Sequence, residues 1–102
     1  MLDISYSKLR ILIEIYRKFS KKKAYCYTSL AEEIEEERTN PYFREMVDLM
    51  EEKECLNSVL KSGSQHTFKI VKNKLSDLIR STTIFNKIGD FIRADKPLDY
   101  NY

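Results

Sequence analysis

Leu56-Asn-Ser-Val-Leu-Lys61, followed by Ser62-Gly63-Ser64 and Thr67-Phe-Lys-Ile-Val71, is the stretch on which the architecture of this chain turns. Leu56, Val59 and Leu60 fall at helical spacing, and Gly63 can close such a helix as its C-terminal stop. The same residues can instead form a strand that turns at Ser62-Gly63-Ser64 into a second strand over 67–71, with Phe68 and Ile70 on one face. Adjacent Val59 and Leu60 break the alternation that a strand requires, so a helix over 51–61 is the expectation. A helix there makes the second half of the chain a copy of the first. A strand makes the region a hairpin behind two helices.

The case for a copy lies on either side of that stretch. Tyr42-Phe-Arg-Glu-Met-Val-Asp-Leu-Met50 aligns with Ile84-Phe-Asn-Lys-Ile-Gly-Asp-Phe-Ile92, so that Phe43 matches Phe85, Met46 matches Ile88, Asp48 matches Asp90 and Leu49 matches Phe91. Leu30 and Ile34 correspond in the same way to Leu75 and Ile79, and Tyr25 and Tyr27 to Phe68 and Ile70. Each half then reads helix, short strand, helix, helix. The two short strands can pair antiparallel, which satisfies backbone groups that a lone strand leaves open.

Local signals place the elements. Ser5 or Ser7 caps a helix running to about Phe19, with Leu9, Leu12, Tyr16 and Phe19 on one face and Ile11, Ile13 and Ile15 widening it. A helix this apolar belongs at the centre, buried on more than one side. Ala24–Thr28 alternates aromatics and reads as a short strand. Ser29 with Glu32 forms a capping box for a helix that turns Leu30, Ala31 and Ile34 inward. Asn40-Pro41 opens the next helix, with Phe43, Met46, Val47 and Met50 on its stripe. Asn73 caps a helix holding Leu75, Leu78 and Ile79, and Thr82 or Thr83 caps a last one to about Ala94. The fold expected is therefore α+β and mainly helical, one domain of two similar helix–strand–helix–helix units in pseudo-twofold arrangement, approximately 4–50 and 51–96, with a tail over 97–102. A winged helix is the alternative.

Charge is segregated along the chain, although the net is only +2. Residues 32–54 carry ten acids against Arg38, Arg44 and Lys53, while basic residues outnumber acids on both sides. Such a pattern favours internal pairing or head-to-tail contacts over uniform polyanion binding. The Lys- and Glu-rich composition, with two Gly, two Pro and a single Gln, suits a heat-tolerant helical protein. No apolar run approaches the length of a membrane span, and no signal peptide is recognised, so a soluble cytoplasmic protein with no membrane partner is expected. Cys26 and Cys55 are expected as buried thiols, with a single bridge open to a hyperthermophile protein.

Catalytic and metal chemistry find no motif. His66 is the only histidine and falls in an expected loop. Two cysteines with 28 residues between them make no zinc site with it, and no phosphate loop or nucleophile elbow occurs. Neither cofactor nor metal is expected, and the chain is expected not to be an enzyme.

Binding is the function class that remains. On the two matched helices an apolar edge lies about 100° from the core stripe, formed by Tyr42 and Leu49 in one and by Ile84 and Phe91 in the other. These four residues are the candidate lining of a groove between units that takes a peptide or helix of another protein.

Two resemblances bear on this. Between residues 5 and 71 the order of elements resembles a winged helix-turn-helix domain, with Ser29-Leu-Ala-Glu-Glu-Ile34 as the first helix of the motif, 40–54 as the recognition helix and 61–69 as the wing. That resemblance implies duplex DNA contacts at Arg38, Asn40, Tyr42 and Arg44, with Lys61 and Lys69 on the wing. The sequence departs from it electrostatically, since Glu45, Asp48, Glu51 and Glu52 ride the same helix and phosphate contact supplies most nonspecific affinity. The whole chain, in its length, its Lys/Glu/Ile/Tyr bias and its doubled 30–50 and 75–92 blocks, also resembles the small orphan proteins of filamentous viruses of hyperthermophilic archaea. This implies an accessory protein made in the infected cell that contacts viral or host proteins.

Overall fold

Helix α1 (Tyr6–Lys18) starts where Ser5 turns extended and its hydroxyl accepts from the Lys8 amide at 3.4 Å. The computed structural model of the protein describes residues 1–62 and 65–88. After α1 come α2 (Tyr27–Glu33), α3 (Pro41–Glu52), β1 (Leu56–Ser62), β2 (Gln65–Ile70) and α4 (Lys72–Arg80), and residues 83–88 are again helical. The protein is α+β and mainly helical, with one two-stranded antiparallel sheet. Among the described residues no helix is long and apolar enough to cross a membrane.

The wide apolar face of α1 has the consequence expected of it. Leu9, Ile11, Leu12 and Ile15 are fully buried because α1 packs against α2, α3 and α4 together. Its polar wedge stays outside, where Glu14 pairs with Arg17 and Lys18, and Arg10 reaches Glu36. The stripes predicted for the other helices are all buried: Leu30, Ala31 and Ile34; Phe43, Met46, Val47 and Met50; Leu75, Leu78 and Ile79.

Residues 56–62 form a strand, and the expected helix over 51–61 is corrected accordingly. The reason is visible at the end of α3. The Glu54 amide donates to the Glu51 carbonyl at 3.1 Å and the Cys55 amide to the Met50 carbonyl at 2.8 Å, while Glu54 sits at φ 61°. This is a Schellman closure, in which a left-handed residue reverses the chain and the last carbonyls are satisfied. Glycine normally holds that position, and its absence from 53–55 hid the stop. Helix α2 ends identically: Glu35 sits at φ 57°, its amide donates to Glu32 and the Glu36 amide donates to Ala31. An L-residue in this conformation costs about 1–2 kcal/mol, part of which glycine would recover despite its freer unfolded chain. Glu54→Gly and Glu35→Gly should therefore each raise stability by up to about 1 kcal/mol, read as a higher urea midpoint. A lower midpoint in both would contradict the closure.

With β1 a strand, the second half does not repeat the first. It runs strand, strand, helix, helix, against helix, bridge, helix, helix, and the paired-unit arrangement is not shown. One expected contact does form: Tyr25 pairs antiparallel with Phe68, through amide–carbonyl bonds of 2.7 and 2.8 Å. This is a single bridge instead of the strand expected over 24–28, because α2 begins at Tyr27. Ser29 is thus the third residue of α2, not its cap, and its hydroxyl reaches back to accept from the Cys26 amide at 2.9 Å.

β2 lies between Tyr25 and β1. The register pairs Leu56 with Ile70 and Ser58 with Phe68, then skips to Leu60 with Thr67. Val59 is the extra residue of this bulge, which answers the broken alternation noted in the sequence. Phe68 and Ile70 are buried, whereas Val59 and Leu60 are each 55% exposed. Leu2 closes the molecule by bridging Thr82, donating to the Ser81 carbonyl and accepting from Thr83. Thr82 is fully buried, and its hydroxyl accepts from Phe85 at 3.3 Å, capping the helical residues 83–88 as expected. The sequence-based expectations for 89–102 lie outside the described residues.

Candidate interaction surface

Helix α3 starts at Asn40, whose side-chain oxygen accepts from the Tyr42 amide at 2.9 Å, with Pro41 at the first helical position. Since Phe43, Met46, Val47 and Met50 face the core, the remaining side chains Tyr42, Arg44, Glu45, Asp48, Glu51 and Glu52 face outward. The outer face is thus strongly acidic, and Tyr42, 43% exposed, is its one large aromatic.

Several of these side chains are already engaged. Tyr27 on α2 donates to the Asp48 carboxylate at 2.6 Å, and the Arg44 guanidinium lies 4.9 Å from the Tyr27 ring centre. Lys8 on α1 pairs with Glu45 at 2.6 Å and stands 5.3 Å from the Tyr42 ring centre. Glu36 accepts from Asn40 at 3.1 Å and from Arg10 at 3.3 Å, and these bonds hold its carboxyl below the usual range, the Asn40 bond most of all. Together they link α1, α2 and α3 along this face.

Tyr27 makes this network sensitive to alkali. Burial, followed by donation to Asp48, pushes its hydroxyl up to about 12 from an ordinary 10.0. Burial likewise pushes the Cys55 thiol up to about 11 from 9.0. The folded state resists both ionisations and the unfolded chain does not, so the stability they contribute is whole below pH 9 and falls as pH rises through 9–12. The urea midpoint should decline over that window, and Tyr27→Phe should flatten the part above pH 10. An unchanged slope in Tyr27→Phe would show that Tyr27 carries none of it.

The residues expected to line a groove are dispersed between surface and core edge. Tyr42 is exposed, Leu49 and Ile84 are partly buried against the core, and Phe91 lies outside the described residues. Of the residues expected to meet DNA, Asn40 is used as a helix cap, Arg44 covers Tyr27, and Arg38 donates to the Thr28 hydroxyl at 3.2 Å. Lys69 is exposed on β2 opposite Asn57, and Lys61 stands opposite His66 in the register.

His66 is a strand residue, not the solvated loop residue expected. Its Nε2 lies 2.8 Å from the Ser58 hydroxyl, its Nδ1 4.0 Å from a Glu51 oxygen, and its ring meets the Phe68 edge at 5.6 Å between centres. Sequence could not bring these together, since they come from α3, β1 and β2. Serine, imidazole and carboxylate follow the order of a nucleophilic triad, but 4.0 Å is beyond hydrogen-bond reach and Glu51 does not orient the ring. The Ser58–His66 contact joins β1 to β2 across the hairpin. Cys55 is a buried free thiol, and the Cys26 thiol is half-buried 3.5 Å from the Ser29 hydroxyl. Among the described residues no group of three or more His, Cys, Asp or Glu is placed to hold a metal.

No protein-family model, curated protein or solved structure matches the chain.

Proposed function

We propose that this chain is a non-enzymatic interaction module that binds a peptide or helix of another protein, on a scaffold whose order of elements is that of a winged helix. The observation that supports it best is the sign of α3. In the winged-helix arrangement this is the helix that meets a partner, and here α3 itself contributes Glu45, Asp48, Glu51 and Glu52 to the outer face against Arg44, with Lys8 of α1 paired to Glu45. Carboxylates on that face repel phosphate and attract lysine or arginine. Exposed Tyr42 and half-buried Leu49, two turns apart on α3, add the apolar anchors that a docked segment needs. The partner is then a cationic, amphipathic segment, in keeping with an accessory protein working through contacts with viral or host proteins.

Selection of peptides from a random display library tests this reading. Enrichment of sequences that combine basic and apolar residues is expected, with binding lost in Leu49→Asp and in Tyr42→Asp while thermal unfolding of Tyr42→Asp stays near that of the parent. Peptide binding indifferent to both substitutions would remove the surface from consideration.

The β1–β2 hairpin favours a second reading, duplex DNA binding, because a strand pair rather than a helix follows α3. Here a mobility shift that weakens steeply with salt and is lost in Arg44→Ala or Lys69→Ala is expected. Absence of any shift at low salt rejects it.

A further inference from the structure

A cleft of about 530 Å³ opens between the C-terminal end of α1 and the start of α4, lined by Tyr16, Lys21, Lys72, Asn73 and Ser76. Its charge is unbalanced. No carboxylate is in the lining, and neither Lys21 nor Lys72 takes part in any of the ion pairs among the described residues. The Lys72 ammonium instead stands 5.7 Å from the Tyr16 ring centre. A cleft of similar size, about 520 Å³, lies near the N-terminus and also holds two lysines, Lys53 and Lys74, but there Asp77 sits among them.

We propose that the Lys21–Lys72 cleft binds a small organic phosphate, of the size and charge of a nucleoside monophosphate. Two ammonium groups match a dianion, and the Tyr16 hydroxyl, the Asn73 amide and the Ser76 hydroxyl are neutral donors for the remaining oxygens of a tetrahedral phosphate. A single carboxylate carries one negative charge and would neutralise only one of the two cations. The cleft is open to solvent, its volume is in the range of small-molecule sites, roughly 300–1,000 Å³, and it is larger than a bare phosphate, which leaves room for an organic group at its open side. This site is separate from the acidic face of α3 and does not depend on the reading of that face.

Calorimetric titration of the full chain at low ionic strength with adenosine monophosphate, and separately with pyrophosphate, tests the assignment. Saturable binding of the nucleotide is expected, weakened by added salt. Lys21→Ala and Lys72→Ala should each weaken it by about 10-fold or more, the cost of one charge-assisted contact. Lys53→Ala and Lys74→Ala should leave it unchanged, and because all four lysines are exposed, circular dichroism should show the parent fold in each variant. No saturable binding of the nucleotide at millimolar concentration overturns the proposal. So does binding that survives the Lys21→Ala, Lys72→Ala double substitution, or binding of pyrophosphate alone.

Discussion

Phe68→Ala is expected to destabilise the protein by about 3–5 kcal/mol, the cost of emptying a large, close-packed aromatic site. Phe68 is fully buried, and its ring lies edge-on to Tyr27 at 6.2 Å and to His66 at 5.6 Å between centres. Its backbone is the only point at which Tyr25 joins the sheet among the described residues. The cavity would therefore open where α2, β2 and the segment before α2 meet. A domain of this size has about 5–15 kcal/mol of stability in total, so the thermal midpoint should fall by tens of degrees. A loss below about 1 kcal/mol would mean that the hairpin is not packed on the helices as described. Had 56–61 been helical, no β1 would flank β2, and this residue would carry less of the core.

Phe43→Ala should cost a similar amount, about 3–5 kcal/mol, while Tyr42→Ala, one position earlier, should cost well under 1 kcal/mol. Both are aromatics in the first turn of α3, but Phe43 is fully buried and Tyr42 is 43% exposed. The contrast tests the rotational phase of α3, and with it which side chains are left to meet a partner. Equal losses at the two positions would rotate the helix and move the acidic face away from solvent. Chemical denaturation of the two variants, with the parent protein's slope against urea as control, is sufficient to decide.

How much of this the sequence revealed depends on whether the signal was local. The Asn40-Pro41 start, the Ser5 cap and the stripes of α1, α3 and α4 were all legible, because a cap bonds within three residues and a stripe repeats within one turn or two. The ends of α2 and α3 were not, because Glu35 and Glu54 hold conformations for which glycine is the usual sign. The start of α2 is hidden for a related reason: Ser29 reads as a forward cap but accepts from the residue that precedes the helix. Of the candidate surface, the acidic composition of 40–54 was plain. That Arg44 is spent on Tyr27, and that His66 joins Ser58 near Glu51, required three elements to be brought together in space.

The apparent repeat is instructive in the same way. Phe43 with Phe85 and Leu30 with Leu75 do share the same inward placement, as any two amphipathic helices in one core would. What distinguishes a duplicated molecule from two such helices is the element between the blocks, and there the phase of the apolar residues was ambiguous.

Composition, helix faces and the acid-rich middle of the chain were determined by sequence alone: a helix is closed by bonds four residues apart, and burial follows from its period. The fate of 56–62 was decided only in the tertiary structure. Its partners Phe68 and Ile70 lie up to 14 positions away across the hairpin, and behind them stands Tyr25, more than 40 positions from Phe68. A strand has no internal hydrogen bonds, so its free energy is set by neighbours that its own residues do not specify.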